Sequence, residues 1–247
     1  MNKLEGKVAW ITGGGSGIGE AAAVALAQAG VHVVVSGRRE AQLAEVVAAI
    51  TTTGGKAEAA PLDVVDAEAT MAIADDLENR LGGVDIFMAN AGLNVPNRAT
   101  ENLTPADFAR VVDINLNGVM NGVLAVLPHM RAQQEGTIIL TSSWAGRFAT
   151  KMTGSAYNAT KHAVVALGQS INMENGEHGI RCTTLMPGEV ATPILKTRPQ
   201  PPSDEDIAKM LKPKDMGAIV RFLAEAPPNV CMNEILVSPT RNRIFAS

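Results

Sequence analysis

A tyrosine and a lysine four residues apart are the first candidates for chemistry in this sequence. Tyr157 is the only tyrosine of the chain, and Lys161 follows it in the run SAYNATKHA at 155–163. On a helix, residues i and i+4 share one face, with Cβ atoms about 6 Å apart. A lysine ammonium beside a phenol stabilises the phenolate, which would let Tyr157 exchange a proton with a substrate oxygen. An ordinary polar pair on a helix surface has the same spacing.

The run TGGGSGIGE at 12–20 predicts a phosphate-binding turn. It follows the first apolar run and opens a helical pattern, and its Gly13, Gly17 and Gly19 have the spacing G-x3-G-x-G. Glycine permits the positive φ of a tight turn and lets the backbone approach a pyrophosphate. The N–H groups at the start of the helix then face the phosphates. Placed between a strand and a helix, this turn indicates dinucleotide binding.

The end of the second apolar run bears on the choice between NAD and NADP. An acidic residue at this point accepts the ribose hydroxyl of NAD, whereas arginine accommodates the additional phosphate of NADP. Here the sequence reads VVVSGRRE at 33–40, with Gly37 at the expected position and Arg38 and Arg39 after it. Guanidinium groups bind phosphate through paired hydrogen bonds, which favours NADP. The alternative is that these arginines only solvate the start of a helix, which leaves NAD possible.

These candidate sites need a scaffold, and the apolar pattern predicts one. Seven short apolar runs read as strands, and most are continuous, as in strands buried on both faces of a parallel sheet. The stretches between them have helical spacing and often end in glycine. This alternation predicts a single α/β domain over 1–247, a doubly wound parallel sheet (Rossmann fold) in three α/β/α layers. The predicted strands are KVAWIT at 7–12, VHVVVS at 31–36, AEAAPLDV at 57–64, VDIFMAN at 84–90, GTIILTSS at 136–143, IRCTTLMPG at 180–188 and EILVSPT at 234–240.

One proline-rich segment interrupts this alternation. It follows the sixth predicted strand, and its prolines are poor residues for a sheet or a helix interior. A long segment after the carboxyl end of a strand is typical of a lid over a ligand crevice, so we expect a substrate lid over 189–212. Its Lys196, Arg198 and Lys209 would tolerate an anionic substrate, but we favour their interpretation as solvated loop charges.

Composition excludes several classes of protein. The formal net charge is −4 and basic residues are not clustered, so we expect no nucleic-acid partner. The two cysteines and four histidines lack the spacing of a metal site, and a disulfide framework is equally unexpected. The N-terminus has no signal-peptide pattern and no uninterrupted apolar run reaches the length of a membrane span. We therefore expect a cytoplasmic protein with no membrane partner.

With the glycine turn, the run ANAG at 89–92, Asn115, Ser143 and the run YNATK at 157–161, the chain resembles the short-chain dehydrogenase/reductase family of ordinary length. The resemblance covers nearly the whole sequence and implies a catalytic tetrad of Asn115, Ser143, Tyr157 and Lys161. In it Tyr157 is the general acid/base, Ser143 binds the substrate oxygen and Asn115 anchors a water in a proton relay through Lys161. The implied cofactor-binding residues are Gly13, Ser16, Gly17, Ile18, Gly19, Arg38, Arg39, Asp63, Val64, Asn90, Ala91, Gly92, Tyr157, Lys161, Pro187, Gly188, Val190 and Thr192.

The resemblance implies an NADP-preferring oxidoreductase that interconverts a secondary alcohol, or a hydroxy acid, and its ketone. It also implies a homo-oligomer, a tetramer or a dimer, paired through the long helices that carry Asn115 and Tyr157. The C-terminal run NEILVSPTRNR at 233–243 replaces the glycine-rich strand common in the family, so substrate identity does not carry over. Two alternatives stay open: a regulatory protein that binds the cofactor without catalysis, and an NAD-preferring dehydrogenase. An epimerase or dehydratase is less favoured because the chain lacks the larger C-terminal substrate domain of such enzymes.

Overall fold

The computed structural model describes residues 4–242, which form seven strands and eight α-helices. The strands are β1 (Val8–Thr12), β2 (His32–Ser36), β3 (Lys56–Ala59), β4 (Ile86–Ala89), β5 (Gly136–Thr141), β6 (Ile180–Pro187) and β7 (Glu234–Val237). The helices are α1 (Gly17–Ala27), α2 (Glu40–Thr52), α3 (Ala67–Leu81), α4 (Pro105–Val112), α5 (Gly118–Gln133), α6 (Ser155–Asn175), α7 (Asp204–Lys209) and α8 (Pro213–Glu225).

All seven strands pair in parallel in the order β3-β2-β1-β4-β5-β6-β7. The chain winds outward from β1 through β2 to β3, then crosses to β4 and winds the other way to β7. This confirms the predicted doubly wound parallel sheet. Most of the strands are continuous apolar runs because both of their faces are buried. The order reverses between β1 and β4, which is where ligands bind in such sheets.

Helices cover both faces of the sheet and bury its apolar side chains. One face packs against α1, α2 and α8, with Leu26, Ile50 and Val220 in its core. The opposite face packs against α3, α5 and α6. There Trp10 of β1 and Phe87 of β4 lie tilted, with ring centroids 5.3 Å apart. The two layers hold the sheet edge rigid, and the candidate site lies along that edge.

Each predicted strand runs past at least one end of the observed strand, and the largest errors are at the C-terminal ends of β3 and β7. β3 ends at Ala59, and β7 ends at Val237. Pro61 and Pro239 follow these ends within two residues. Proline has no N–H to donate to a strand ladder, so regular pairing stops before it. After β3 the chain still runs beside the end of β2 through isolated hydrogen bonds. One of them joins the Leu62 N–H to the carbonyl of Gly37.

The helix predicted around Asn115 contains a wider turn. Residues Asp113–Asn117 form a π-helical turn between α4 and α5. The combined segment Pro105–Gln133 is long and apolar enough to cross a membrane by length and composition. In this structure its buried face packs against the sheet, with Val123 and Met130 fully covered, as in the core helix of an α/β domain. Single π turns of this kind are frequent at functional sites.

The predicted lid contains short regular elements. Pro193–Thr197 form a 3-10 turn and Asp204–Lys209 form α7. Val190 and Leu211 make a parallel bridge that joins the two ends of the segment. The segment therefore leaves the end of β6 and returns beside it, so its intervening residues lie next to the carboxyl edge of the sheet.

Candidate active site

A cleft of about 660 Å³ lies along the carboxyl edge of the sheet. It extends from the turn after β1, past the ends of β4 and β5, to the lid after β6. That volume is within the usual range for a small-molecule or cofactor site. The cleft therefore joins the glycine turn at one end to the lid at the other.

The glycine turn has the close backbone packing that the sequence predicted. Gly17 has φ +62°, a conformation that other residues adopt only with strain. A Cβ at Gly19 would collide with the carbonyl oxygen of Gly13, so only glycine lets α1 begin so near β1. Asn90 reinforces the turn by donating from Nδ2 to the Gly13 carbonyl at 3.1 Å. The residues present thus fit a pyrophosphate at the start of α1.

One N–H group of this cradle is already bonded within the helix. The Gly17 N–H donates to the Glu20 carboxylate at 3.2 Å. Ser16 precedes α1 with an extended backbone, and its hydroxyl accepts from Arg39 Nη2 at 3.3 Å. The cradle is therefore built from the N–H groups around Ser16 and Ile18 together with that hydroxyl.

Two arginines lie where the second ribose of a dinucleotide would bind. Arg38 and Arg39 follow β2 and line the cleft with Gly37 and Asp63. Arg38 Nη1 lies 3.9 Å from Asp63 Oδ2, and 58% of its side chain is exposed. This loose, exposed ion pair leaves most donors of the guanidinium facing the cleft mouth.

The end of β5 and the start of α6 bring three members of the predicted tetrad together. Ser143 follows β5, and its hydroxyl accepts from the Ala145 N–H at 3.1 Å. The Ser143 side chain lies near enough to the Tyr157 phenol to lower the pKa of that phenol by hydrogen bonding. Lys161 lies one turn after Tyr157, with Nζ 5.5 Å from the centroid of the phenol ring. The ammonium donates to the carbonyl of Thr141 at 2.8 Å. The three side chains therefore meet at the lid end of the cleft.

Asn115 lies behind the cleft wall. Its Oδ1 accepts from the Leu93 N–H at 2.8 Å, and its Nδ2 donates to the Leu93 carbonyl at 2.9 Å and to Thr160 Oγ1 at 3.4 Å. The π turn brings this fully buried amide to the chain that leaves β4. Asn115 thus fixes the backbone beside Gly92 and joins it to α6.

Burial is the largest influence on the protonation of Tyr157 and Lys161. It raises the pKa of Tyr157 above its ordinary value of 10.0, while the hydrogen bond with Ser143 and the charges of Arg198 and Arg98 lower it in part. Burial also lowers the pKa of Lys161 to about 8. The sequence led us to expect that Lys161 lowers the phenol pKa, but within the protein the groups that favour the phenolate are Ser143 and the two arginines.

The structure places the predicted site residues along one continuous surface, with two exceptions. Gly19 packs beneath the glycine turn, and Asn115 lies behind the wall. The predicted residues that line the cleft are Gly13, Ser16, Gly17, Ile18, Arg38, Arg39, Asp63, Val64, Asn90, Ala91, Gly92, Ser143, Tyr157, Lys161, Pro187, Gly188, Val190 and Thr192.

Sequence reasoning missed three polar residues at the lid end of the cleft, namely Asn94, Arg98 and Glu189, and misinterpreted Arg198. Asn94, Arg98, Glu189 and Arg198 line it together with Tyr157. Arg98, Asn94 and Glu189 are buried. No local pattern marks them, because they come from two irregular segments that only the fold brings together. Arg198 was noticed in the sequence but interpreted as a solvated loop charge, and that interpretation was wrong because only 14% of its side chain is exposed.

Comparisons with known proteins agree with this geometry. A family model described as short chain dehydrogenase matches residues 7–202. An uncharacterized oxidoreductase of Listeria innocua is 36% identical over 244 residues, which cover 96% of this chain and 98% of the relative.

Two solved structures share the fold over nearly the whole chain. An alcohol dehydrogenase from the archaeon Thermococcus sibiricus, complexed with 5-hydroxy-NADP, superposes with a TM-score of 0.85 at 30% identity and covers 96% of this chain and 98% of its own. Levodione reductase superposes with a TM-score of 0.88 at 30% identity, over 95% of this chain and 97% of its own. Since the family model and full-length oxidoreductase relatives both match, this chain belongs to the short-chain dehydrogenase family.

Proposed function

We propose that the protein is an NADP(H)-preferring oxidoreductase that interconverts a secondary alcohol, or a hydroxy acid, and its ketone. One observation carries the proposal: Ser143, Tyr157 and Lys161 meet at one end of a cleft whose other end is a glycine turn followed by two arginines. The glycine turn would hold the phosphates of a nicotinamide cofactor along that cleft, and Tyr157 would lie beside its reactive ring. The arrangement favours hydride transfer with coupled proton transfer.

When bound, NADPH would supply the hydride in reduction, and NADP⁺, whose ring is positively charged, would accept it in oxidation. The glycine turn and the start of α1 would bind its pyrophosphate, and Arg38 and Arg39 would bind its additional phosphate. Asp63 and Val64 would contact the adenine end, and Asn90, Ala91 and Gly92 would line the ribose region. At the far end, Pro187, Gly188, Val190 and Thr192 would hold the carboxamide.

In this proposal Tyr157 exchanges the proton with the substrate oxygen. In reduction the phenol donates a proton to the carbonyl oxygen, and in oxidation the phenolate accepts one from the alcohol. The Ser143 hydroxyl, already bonded to that phenol, stabilises the charge that develops on the same oxygen. Because burial raises the pKa of the phenol, the enzyme needs positive charge near it. The charges of Arg198 and Arg98 lower that pKa in part, and the oxidised cofactor would add a further positive charge.

Lys161 and Asn115 have positioning tasks in this scheme. Lys161 holds its ammonium against the Thr141 carbonyl, from which it would reach the ribose hydroxyls and pass protons to water. Asn115 sets the backbone after β4, against which the ribose lies. The water relay through Lys161 that the family resemblance implies is retained as part of the proposal.

The test of this function is an assay of small alcohols, hydroxy acids and ketones with both cofactors. Turnover is monitored through the absorbance of the reduced cofactor, NADPH or NADH. We expect turnover with NADP(H) at a kcat/KM above that with NAD(H). Tight binding of NADPH without turnover of any compound would instead support the alternative of a regulatory protein.

Replacing Arg38 with alanine should raise the KM for NADPH by about tenfold and leave the KM for NADH nearly unchanged. The lost contact is a charge-assisted hydrogen bond to phosphate, partly weakened by solvent at this exposed side chain. Steady-state kinetics with saturating substrate measure both values.

The matched control for this change is Arg147→Ala, which removes an exposed arginine that lies outside the residues lining the cleft. It should change neither KM. If Arg38→Ala raises both values equally, the argument for NADP preference fails.

We also propose that the protein is a homo-oligomer paired through α4, α5 and α6. Each of these helices exposes a large apolar side chain to solvent, namely Phe108, Leu124 and Met173. Sedimentation equilibrium should give two or four times the mass of one chain. A monomer at micromolar concentration would contradict the proposal.

A further inference from the structure

The lid end of the cleft contains a buried arginine. Arg98 is only 7% exposed, although it lies in an irregular segment after β4. Its guanidinium donates from Nε to the Val95 carbonyl at 2.9 Å and from Nη2 to the Thr197 carbonyl at 2.7 Å. A third, longer bond of 3.5 Å runs from Nη1 to the Met152 carbonyl.

These three partners are neutral, so they leave the charge of Arg98 uncompensated. Within residues 4–242, no carboxylate forms an ion pair with Arg98. A guanidinium has five N–H groups, and the three bonds use only three of them. Buried charges are normally paired, because an unpaired one loses its hydration without compensation. An arginine in this position, on the wall of a cleft, is suited to an anionic ligand.

A second arginine faces the same space from the lid. Arg198 donates from Nη1 to Glu189 Oε1 at 2.6 Å, and both side chains are largely buried. Since Arg98 and Arg198 carry two positive charges and Glu189 carries one negative charge, the cluster has a net charge of +1. Both guanidinium groups lie close enough to Tyr157 to lower the pKa of its phenol.

We propose that Arg98 and Arg198 bind the carboxylate of a monoanionic substrate, a hydroxy acid or its keto acid. This inference rests on the proposed function and narrows it to one substrate class. A monoanion neutralises the net charge of the cluster and uses donors that the protein leaves available. Planar guanidinium groups also match the two oxygens of a carboxylate.

The geometry sets the orientation of such a substrate. Its carboxylate lies between the segment after β4 and the lid, and its hydroxyl-bearing carbon faces Tyr157 and Ser143. Because Arg98 also donates to Thr197 of the lid, a bound carboxylate would join the lid to the cleft wall. The competing interpretation is that Arg98 only holds the lid through backbone carbonyls, in which case the charge of the substrate has no effect.

The test compares carboxylates with their neutral esters. Lactate, β-hydroxybutyrate and γ-hydroxyvalerate are each assayed beside the corresponding methyl ester, with NADP as cofactor. We expect at least one acid to exceed its ester in kcat/KM by about tenfold or more, which corresponds to one charge-assisted bond. If every ester matches or exceeds its acid, the inference is wrong even though the proposed function stands.

Substitution of Arg198 then tests whether this arginine causes the preference for the acid over its ester. Arg198→Gln should lower the ratio of kcat/KM for the preferred acid to kcat/KM for its ester by about ten- to a hundredfold, mainly through the KM of the acid. Any effect of the lost charge on Tyr157 acts on acid and ester alike and cancels in this ratio. The control is Lys196→Gln, which removes an exposed lid cation outside the cleft lining and should change neither value. An equal loss for acid and ester in Arg198→Gln would assign the arginine to lid structure and overturn the inference.

A binding measurement separates this inference from failure of the proposed function. Calorimetry with NADP-saturated Tyr157→Phe protein requires no turnover. We expect at least one of the three acids to bind this variant more tightly than its methyl ester does. Adding Arg198→Gln to the same variant should remove that difference in affinity. Absence of any such difference contradicts the carboxylate site, whereas absence of turnover in the unsubstituted enzyme contradicts only the oxidoreductase activity.

Discussion

Replacing Tyr157 with phenylalanine should lower kcat by roughly a hundred- to ten-thousandfold, the range that a positioned general acid/base supplies. The substitution removes only the hydroxyl that bonds Ser143 and leaves the ring packed on α6. Binding of NADPH, measured by fluorescence titration, should change little because the glycine turn and Arg38, which we propose bind its phosphates, lie at the other end of the cleft. The control is His162→Gln, on an exposed position of the same helix outside the cleft lining, which should keep its turnover.

The single tyrosine also makes the protonation state directly measurable. Because Tyr157 is the only tyrosine in the chain, the ultraviolet absorbance of phenolate reports this group alone. In the free protein its pKa should lie above 10.0, because burial is the largest influence on it. Saturation with oxidised NADP should lower that pKa. Full turnover by Tyr157→Phe, or a phenol that titrates below its ordinary pKa in the free protein, would contradict this account.

Replacing Lys161 with methionine should have the second largest effect, on both turnover and stability. The loss of a cation beside the phenol, and of the contact with the ribose that we propose for it, should lower kcat/KM by about a hundredfold or more. The same change removes a buried charge. A pKa that falls from 10.5 to about 8 corresponds to a cost on the order of 3 kcal/mol for burying the ammonium. Removing this charge should raise the free energy of unfolding, and loss of the hydrogen bond to the Thr141 carbonyl should offset part of that increase.

The stability effect of Lys161 has a defined dependence on pH. Below about pH 8 the amine is protonated in both the folded and the unfolded chain, so the full cost of burial is present. Between about 8 and 10.5 the unfolded chain binds the proton that the folded chain has lost, and the free energy of unfolding rises with pH. Above this window the amine is neutral in both states and the cost is gone.

Denaturant unfolding of the cofactor-free protein measures this dependence. The free energy of unfolding of the unsubstituted protein minus that of Lys161→Met should rise through the window, because other titrating groups cancel in the difference. Lys214→Met, an exposed substitution on α8, should show no such rise. A constant difference across the window would mean that Lys161 is not desolvated, and unchanged kcat/KM in Lys161→Met would remove it from the site.

The architecture could be predicted from the sequence because its signals are local. The strands are continuous apolar runs that only a sheet covered on both faces can bury, and the helices between them carry their own periodicity. The ends of β3 and β7 were overestimated because apolar composition continues to Pro61 and Pro239, whereas regular pairing stops before them. The π turn at Asn115 has no periodicity of its own, so the sequence predicted an ordinary helix there.

The sequence by itself determined the glycine turn, the order of the strands along the chain and the Tyr157–Lys161 pair, because each depends on residues close together in the chain. Only the tertiary structure decided the surroundings of that pair. Arg98 and Arg198 come from separate irregular segments, and the sheet brings them to the phenol. The tertiary structure also decided that burial, rather than Lys161, is the largest influence on the pKa of Tyr157. The reason is that desolvation depends on every element packed around a group.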